Sequence, residues 1–155
     1  FEINQIGVSR VFQTPEIFAD LNLLENVMIP AFARRDGAFK INGWMSVGDE
    51  AEIREEAMTM LDELGMASKA DHIAGQLSRG DKRRLELAMA LVQHPRLLLL
   101  DEPTASLDPE NAGAAMDLIQ STCQKVGAAL LCTSHDPSMA DRFTRRESLD
   151  QLVTA

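Results

Sequence analysis

Two acidic residues follow directly on four leucines in the segment LLLLDEPTASLD, residues 97–108. An uninterrupted apolar run predicts a strand of a parallel sheet that is covered on both faces. Ligands of such sheets bind at the carboxyl ends of the strands, which is where Asp101 and Glu102 lie. A cation would offset the repulsion between the two carboxylates, and Mg²⁺ binds through few carboxylates together with phosphates. The second acid could then polarise a water molecule; the alternative is an acidic turn marked by Pro103.

The segment LSRGD, residues 77–81, combines a helix start with groups that bind anions. Ser78 and Asp81 have the spacing of a capping box, which predicts the first turn of a helix. The free amides of that turn, the Ser78 hydroxyl and the missing side chain of Gly80 would suit a phosphate. The alternative is a helix start that binds no ligand, and the capping box alone favours it.

Two further polar residues follow predicted strands. His135, in the segment TSHDP, residues 133–137, could donate a hydrogen bond to a phosphate oxygen. The alternative is a structural histidine in a turn. Gln13 ends the first predicted strand in the same way, but a single glutamine carries no information about function by itself.

Apolar periodicity predicts strands and helices that alternate along the chain. The predicted strands cover 6–12, 97–100 and 128–133, and the predicted helices cover 22–29, 49–64, 79–93 and 109–126. Pro30 predicts the end of the first helix, and residues 31–48 predict a polar loop. Asn22 can cap the first helix, with Glu25 three residues later, and Gly65 and Gly127 predict helix ends. Apolar residues at helical spacing predict the buried faces of the second and fourth helices, which are Ile53, Ala57, Met60, Leu61 and Leu64 in the one and Met116, Ile119, Cys123 and Val126 in the other. Alternation at this spacing predicts an α/β protein with a parallel sheet and right-handed crossovers.

Charge and composition disfavour several classes of protein. A net charge of −9 over 155 residues disfavours a generic nucleic-acid binder, which needs a basic surface. The apolar runs are far shorter than the roughly 20 residues that span a bilayer, and the first residues lack a signal-peptide pattern. Cys123 and Cys132 lie in apolar segments, which favours buried free thiols in a reducing compartment over a disulfide or metal pair. Because the chain opens on Phe1 and a predicted strand follows at once, we expect a fragment.

Taken in order, five of these motifs resemble those of the ATP-binding cassette (ABC) ATPase family. Gln13 resembles its glutamine loop, LSRGD its signature motif, and LLLLDEP its Walker B motif with the catalytic glutamate. ASLD resembles its D-loop, and His135 its switch histidine. The resemblance runs from about residue 5 to residue 142. The segments GVSRVFQTPEIFADLNLLENVMI and LSRGDKRRLELAMAL are similar to cassettes of branched-chain amino-acid uptake transporters.

The resemblance implies a fold and a set of partners. The fold is a partial P-loop NTPase (ABC ATPase) fold, α/β in class, with a parallel sheet, flanking helices and an α-helical subdomain. Residues 1–13 would begin the catalytic core, 14–78 would form the helical subdomain, and 79–155 would complete the core. The implied partners are a second nucleotide-binding subunit and transmembrane permease subunits, with no nucleic acid. The implied location is the cytoplasmic side of the cell membrane, as a peripheral subunit.

The resemblance also implies roles for seven residues in binding and hydrolysing ATP with Mg²⁺. Glu102 would be the catalytic base, and His135 would contact the γ-phosphate. The other five would bind nucleotide or metal: Asp101 holds Mg²⁺, Gln13 senses Mg²⁺ and the attacking water, Ser78 and Gly80 bind the γ-phosphate of the ATP on the opposite cassette, and Asp108 joins the two active sites.

The sequence lacks the phosphate loop of that family, G-x-x-x-x-G-K-[ST]. The pair Gly43 and Gly48 has its spacing but is followed by Asp49, and the pair Gly75 and Gly80 is followed by Asp81. We therefore expect the nucleotide-holding half to lie upstream of the first residue and the chain as given to be inactive alone. We also expect it to be poorly stable, because the strand that leads to the switch histidine would have an unpaired edge.

Two other functions fit the same residues. One is a non-transport ABC ATPase that acts in DNA repair, chromosome organisation or translation. The other is a binding module that has lost ATP chemistry, against which stand the retained acids and histidine at their motif positions. Net charge and the length of the helical subdomain favour transport.

Overall fold

The computed structural model describes residues 7–11, 16–36, 47–105 and 109–148, and the fold is reported for these. Strands are β1 (Val8–Val11), β2 (Leu97–Asp101) and β3 (Ala129–Thr133), and helices are α1 (Leu23–Asp36), α2 (Val47–Glu63), α3 (Arg79–Leu91), α4 (Pro109–Val126) and α5 (Pro137–Ala140). Short 3₁₀ turns cover Ala67–Lys69 and Ala74–Gln76. The predicted alternation of strands and helices is confirmed, and with it the α/β class.

The strands of the described residues form one parallel sheet in the order β1-β2-β3. Leu97 pairs with both Val8 and Ala129, so the three strands begin nearly level with one another. At the other end of the sheet, Asp101 pairs with Thr133. This register brings the carboxyl ends of β2 and β3 to the same edge, which is where the sequence places its acids and its histidine.

The burial of the strands departs from the prediction of fully buried segments. In β2, Leu98 and Leu100 are buried, whereas Leu97 and Leu99 are only partly covered. In β3 the prediction is wrong, since Leu131 is 56% exposed. Within the described residues β3 pairs with β2 alone, so its outer edge has no neighbouring strand, as the sequence led us to expect. An apolar sequence indicates that a strand tends to be buried. Whether its side chains are buried depends on the elements that pack against it.

The first helix begins as predicted and ends later than predicted. Asn22 and Glu25 form a reciprocal capping box, with hydrogen bonds of 2.9 and 2.8 Å between each backbone N–H and the other side chain. The helix then continues through Pro30 to Asp36, so the predicted loop over 31–48 is wrong at both of its described ends. Proline removes one helical hydrogen bond, but buried residues on both sides of it, Val27 and Ala31, hold the helix against its neighbours.

The remaining helices follow the sequence closely. The predicted apolar stripe of α2 is buried and consists of Ile53, Ala57, Met60, Leu61 and Leu64. Gly65 follows that helix with a φ of 68°, and Gly127 follows α4 with a φ of 73°, as expected for left-handed helix ends. Of the predicted inward residues of α4, Met116, Ile119 and Cys123 are buried, and Val126 is partly buried. No helix among the described residues is long and apolar enough to cross a membrane.

Both cysteines are free thiols, as predicted. Cys123 lies on α4 and Cys132 on the facing strand β3. Burial raises the pKa of Cys123 to about 11 and that of Cys132 to about 12. Both thiols are therefore protonated at neutral pH.

Candidate active site

The edge of the sheet where β2 and β3 end holds the first part of the candidate site. Asp101 is the last residue of β2 and stands directly opposite Thr133 in the parallel register. The Thr133 hydroxyl Oγ1 donates a hydrogen bond of 2.5 Å to Asp101 Oδ1. A carboxylate that accepts a hydrogen bond from a β-branched side chain has a restricted orientation, because the bond limits the rotation of both partners.

The backbone of Glu102, directly after the strand, has a conformation that residues other than glycine rarely adopt. Its φ is 47°, in the left-handed region. The backbone is held there by its N–H, which donates to the Thr133 carbonyl at 3.1 Å, and by its carbonyl, which accepts from Ala105 N at 3.1 Å. Such strain costs about 1–2 kcal/mol and persists only where the surroundings fix it, which is most common at functional sites. The turn separates the Glu102 side chain from the strand residues that precede it.

His135 meets Glu102 across this edge. Glu102 Oε1 lies 2.8 Å from His135 Nδ1 and accepts a hydrogen bond of 3.1 Å from the His135 backbone N–H. The Glu102 side chain is 23% exposed and the imidazole is 83% exposed. The hydrogen bond and the negative charge of Glu102 raise the pKa of His135, and the charge of Asp136 adds to the effect. Two of the predicted catalytic residues thus form one hydrogen-bonded pair.

Helix α3 approaches the same edge from the side. The Arg83 guanidinium donates a hydrogen bond of 3.4 Å to the Asp101 carbonyl and forms an ion pair of 2.8 Å with Glu86, which is buried. A buried carboxylate requires such a partner, because an unpaired charge in the interior is very costly. The hydrogen bond from Arg83 to the Asp101 carbonyl joins α3 to the end of β2.

The start of α3 has the predicted cap. Ser78 Oγ accepts a hydrogen bond of 3.2 Å from Asp81 N. The Asp81 carboxylate is 2.6 Å from Lys69 Nζ, and this hydrogen bond lowers the pKa of Asp81 below its usual range. A Cβ added at Gly80 would meet no atom of the described residues within 4 Å, so packing within the chain does not require glycine there.

The structure brings together three of the seven predicted site residues. Asp101, Glu102 and His135 share the sheet edge, while Ser78 caps α3 and Gly80 lies in its first turn. Their predicted contact with a nucleotide on an opposite cassette stays a prediction. Gln13 and Asp108 lie outside the described residues.

Sequence reasoning missed two residues that support the acids, Thr133 and Arg83. Thr133 stands in the quoted segment TSHDP, but its contact with Asp101 follows from the strand register, which the sequence does not reveal. Arg83 belongs to a basic run on α3, and only the packing of that helix shows which of its cations reaches the sheet.

The donor set at this edge fits Mg²⁺ that is bound jointly by protein and phosphate. Among the described residues, no group of three or more His, Cys, Asp or Glu side chains is placed to hold a metal ion. Mg²⁺ commonly uses one or two carboxylates, water molecules and substrate phosphates. The Asp101 carboxylate at the carboxyl end of β2 fits that pattern.

Comparison with known proteins identifies the family. The sequence profile described as "ABC transporter" matches residues 2–105. The chain therefore belongs to the ABC transporter ATPase family, and its sheet and flanking helices are those of the P-loop NTPase fold that these ATPases share. The family resemblance predicted from the motifs is confirmed at this level.

Individual relatives agree with this assignment. The chain is 39% identical over 139 residues to the phosphate-import ATP-binding protein PhnC of Mycolicibacterium smegmatis, covering 90% of this chain and 51% of that protein. It is 32% identical over 145 residues to the lipoprotein-releasing system ATP-binding protein LolD of Shewanella sp. (strain MR-4), covering 94% and 58%. It thus spans about half the length of the curated relatives it matches.

Solved structures show the same fold. The cbiO1 protein of Clostridium perfringens, part of the ABC transporter complex cbiONQ, superposes with a TM-score of 0.70 at 29% identity, over 85% of this chain and 48% of that one. An ATP-binding cassette of an ABC transporter in its ADP conformation superposes with a TM-score of 0.69 at 25% identity, over 90% of this chain and 56% of that one. Branched-chain amino acids, suggested by two sequence segments, are not named by these relatives.

Proposed function

We propose that this chain is the Walker B, D-loop and switch-histidine part of an ATP-binding and ATP-hydrolysing subunit that powers solute transport in an ABC transporter. The observation that carries the proposal is the meeting of Asp101, Glu102 and His135 at one edge of the parallel sheet. Family membership supports the reaction, and the geometry supports the assignment of each residue to its part in it.

Asp101 is the residue that would hold Mg²⁺, with Gln13 as the second contact, and the ion would neutralise charge on the ATP phosphates. Glu102 is the general base: its carboxylate accepts the proton of the water that attacks the γ-phosphate. The strained backbone at Glu102 displaces this carboxylate from the strand, so the two neighbouring acids serve different partners.

His135 contacts the γ-phosphate through the ring nitrogen that Glu102 leaves free. Glu102 engages Nδ1, so Nε2 is available for a phosphate oxygen. The raised pKa of His135 favours the protonated ring, in which Nε2 is a hydrogen-bond donor rather than an acceptor. The hydrogen-bonded pair therefore supports a general base, Glu102, beside a hydrogen-bond donor to the γ-phosphate, His135.

The remaining predicted roles require a second subunit. Ser78 and Gly80 at the start of α3 bind the γ-phosphate of ATP on the opposite cassette, and Asp108 joins the two sites. Residues 14–78 form the helical subdomain that meets the permease, between the core segments 1–13 and 79–155. The subunit is peripheral to the membrane on its cytoplasmic face. The support for these statements is the order of the motifs and the family that they identify.

Three solute classes have some support. Uptake of the branched-chain amino-acid type rests on two sequence segments, whereas the names of the relatives support phosphate import and lipoprotein release. Measuring which permease co-purifies with the complete subunit would discriminate among them, and co-purification with ribosomes or DNA would favour a non-transport ATPase instead.

The test of the ATPase proposal is Glu102→Gln in a complete subunit, meaning a protein of the relatives' full length that contains this chain. Glutamine keeps the shape of the side chain but is a very weak base, so turnover should be lost while Mg-ATP binding persists. A matched control is Glu63→Gln on α2, a carboxylate paired only with Lys125 among the described residues. Unchanged turnover in Glu102→Gln would remove Glu102 from its role.

A further inference from the structure

We infer that Thr133 is a positioning residue of the hydrolytic site, acting through both Asp101 and Glu102. The inference rests on the proposed function, because it concerns the two acids that the ATPase reaction uses. Thr133 lies on β3, two residues before the switch histidine, and pairs with Asp101 in the sheet. None of the roles implied by the family resemblance falls on it.

The hydroxyl of Thr133 has a partner on each side. It donates its one hydrogen to Asp101 Oδ1 at 2.5 Å and is 3.4 Å from the backbone N–H of Glu102, which donates to it. The carbonyl of the same residue accepts from that N–H at 3.1 Å. One residue therefore fixes the carboxylate of one acid and the backbone of the other.

The two contacts have different consequences for the reaction. With Oδ1 engaged by Thr133, the Asp101 carboxylate cannot rotate freely, and its second oxygen keeps a defined direction for a metal-bound water. At Glu102 the contacts help to hold a φ of 47° that the residue would not otherwise adopt. The rate of an enzymatic reaction falls steeply when a catalytic group is displaced by a fraction of an ångström. Loss of either contact of Thr133 should therefore lower the turnover rate.

The hydroxyl group is the part of the Thr133 side chain that this arrangement requires. Valine has the shape and the strand preference of threonine but cannot donate to Asp101. Serine can donate but lacks the methyl group that restricts the rotamer. The inference therefore predicts that function follows the hydroxyl and not the volume of the side chain.

The experiment compares Thr133→Val, Thr133→Ser and Thr133→Ala in the complete subunit, measuring kcat, the KM for ATP and the affinity for Mn²⁺. Removal of one hydrogen bond to a carboxylate should lower kcat roughly tenfold, with little change in the KM for ATP. Thr133→Ser should restore most of the rate. Thr133→Ala, which also lacks the hydroxyl, serves if the valine variant does not fold. Thr122→Val is the control, because the Thr122 hydroxyl bonds to Leu118 O within α4.

The Mn²⁺ measurement is made in the Glu102→Gln background with ATP bound, by electron paramagnetic resonance, so that it does not depend on turnover. Loss of the Thr133 hydroxyl should weaken Mn²⁺ binding several-fold there. Hydroxyl-free variants with unchanged kcat and Mn²⁺ affinity, or a serine variant as impaired as valine, would overturn the inference. Full turnover in Glu102→Gln would instead refute the proposed function, so the two failures are distinguishable.

Discussion

One carboxylate oxygen of Glu102 contacts both the backbone N–H and the imidazole ring of His135. Oε1 accepts from the His135 N–H at 3.1 Å and lies 2.8 Å from Nδ1. The relationship sets the orientation of the imidazole and the protonation that it favours. It also means that the proposed base and the proposed phosphate contact are coupled before any ligand binds.

The first prediction concerns the titration of His135. Glu102 binds the protonated ring more strongly than the neutral ring, so the pKa of His135 should lie above its usual value of 6.5. Glu102→Gln should lower it towards that value, with a residual rise from Asp136. NMR titration of the His135 ring protons in the two proteins measures both values.

The raised pKa of His135 determines how the stability of the folded chain depends on pH. The contact stabilises the folded chain fully at pH values below 6.5, and this stabilisation is lost as the pH rises through the raised pKa of His135. Urea unfolding at a series of pH values should show the loss in the original chain and a weaker one in Glu102→Gln. An identical pH dependence in the two proteins would contradict the pairing of Glu102 with His135.

The second prediction concerns the backbone at Glu102. Glycine adopts a φ of 47° without steric strain, whereas alanine does not. Glu102→Gly and Glu102→Ala both lose the contact with His135, so their difference isolates the backbone. We expect the glycine variant to be more stable by about 0.5–1 kcal/mol in urea unfolding, since the strain exceeds the entropy cost of glycine. An alanine variant of equal or greater stability would show that the backbone is not strained.

The third prediction concerns the ion pair at the start of α3. The hydrogen bond and the charge of Lys69 lower the pKa of Asp81, while burial opposes them. The pair therefore contributes stability above the usual pKa of 3.8, and that contribution is lost as the pH falls through the lowered pKa of Asp81. Because Lys69 is 41% exposed, Lys69→Met should cost only about 0.2–1 kcal/mol at neutral pH.

Lys82→Met is the matched control for this pair, since it removes one positive charge from the same segment. Within the described part of the chain Lys82 makes no ion pair. Thermal unfolding should separate the two variants at pH 7, and the difference should shrink as the pH falls below 3.8 and through the lowered pKa of Asp81. Equal melting temperatures at pH 7 would show that the Lys69–Asp81 contact contributes nothing measurable.

The fourth prediction concerns the thiols. Reaction with iodoacetamide requires thiolate, and the thiolate population of Cys123 falls about a hundredfold when its pKa rises from 9.0 to about 11. Both cysteines should therefore resist alkylation at pH 7.5 in the folded chain and react fully in denaturant, as mass spectrometry would show. Rapid alkylation of Cys132 without denaturant would mean that β3 opens readily, because its outer edge has no neighbouring strand among the described residues.

The sequence by itself determined the class of the fold and the candidate residues that meet at the sheet edge. Apolar runs and helix caps depend on nearest neighbours in the chain, which is why Asn22, Ser78, Gly65 and the buried stripe of α2 were predicted correctly. The order of the motifs predicted Asp101, Glu102 and His135 as site residues. The alternation of strands and helices predicts a parallel sheet, and the carboxyl ends of its strands lie at one edge.

Only the tertiary structure decided which groups touch. In the tertiary structure α1 continues through Pro30, Leu131 is exposed, and Thr133 contacts both acids. Each of these depends on contacts between segments far apart in the chain, and local sequence cannot specify such contacts. The pairing of Glu102 with His135 is the clearest case, since a strained turn and a strand register had to combine before the two side chains could meet.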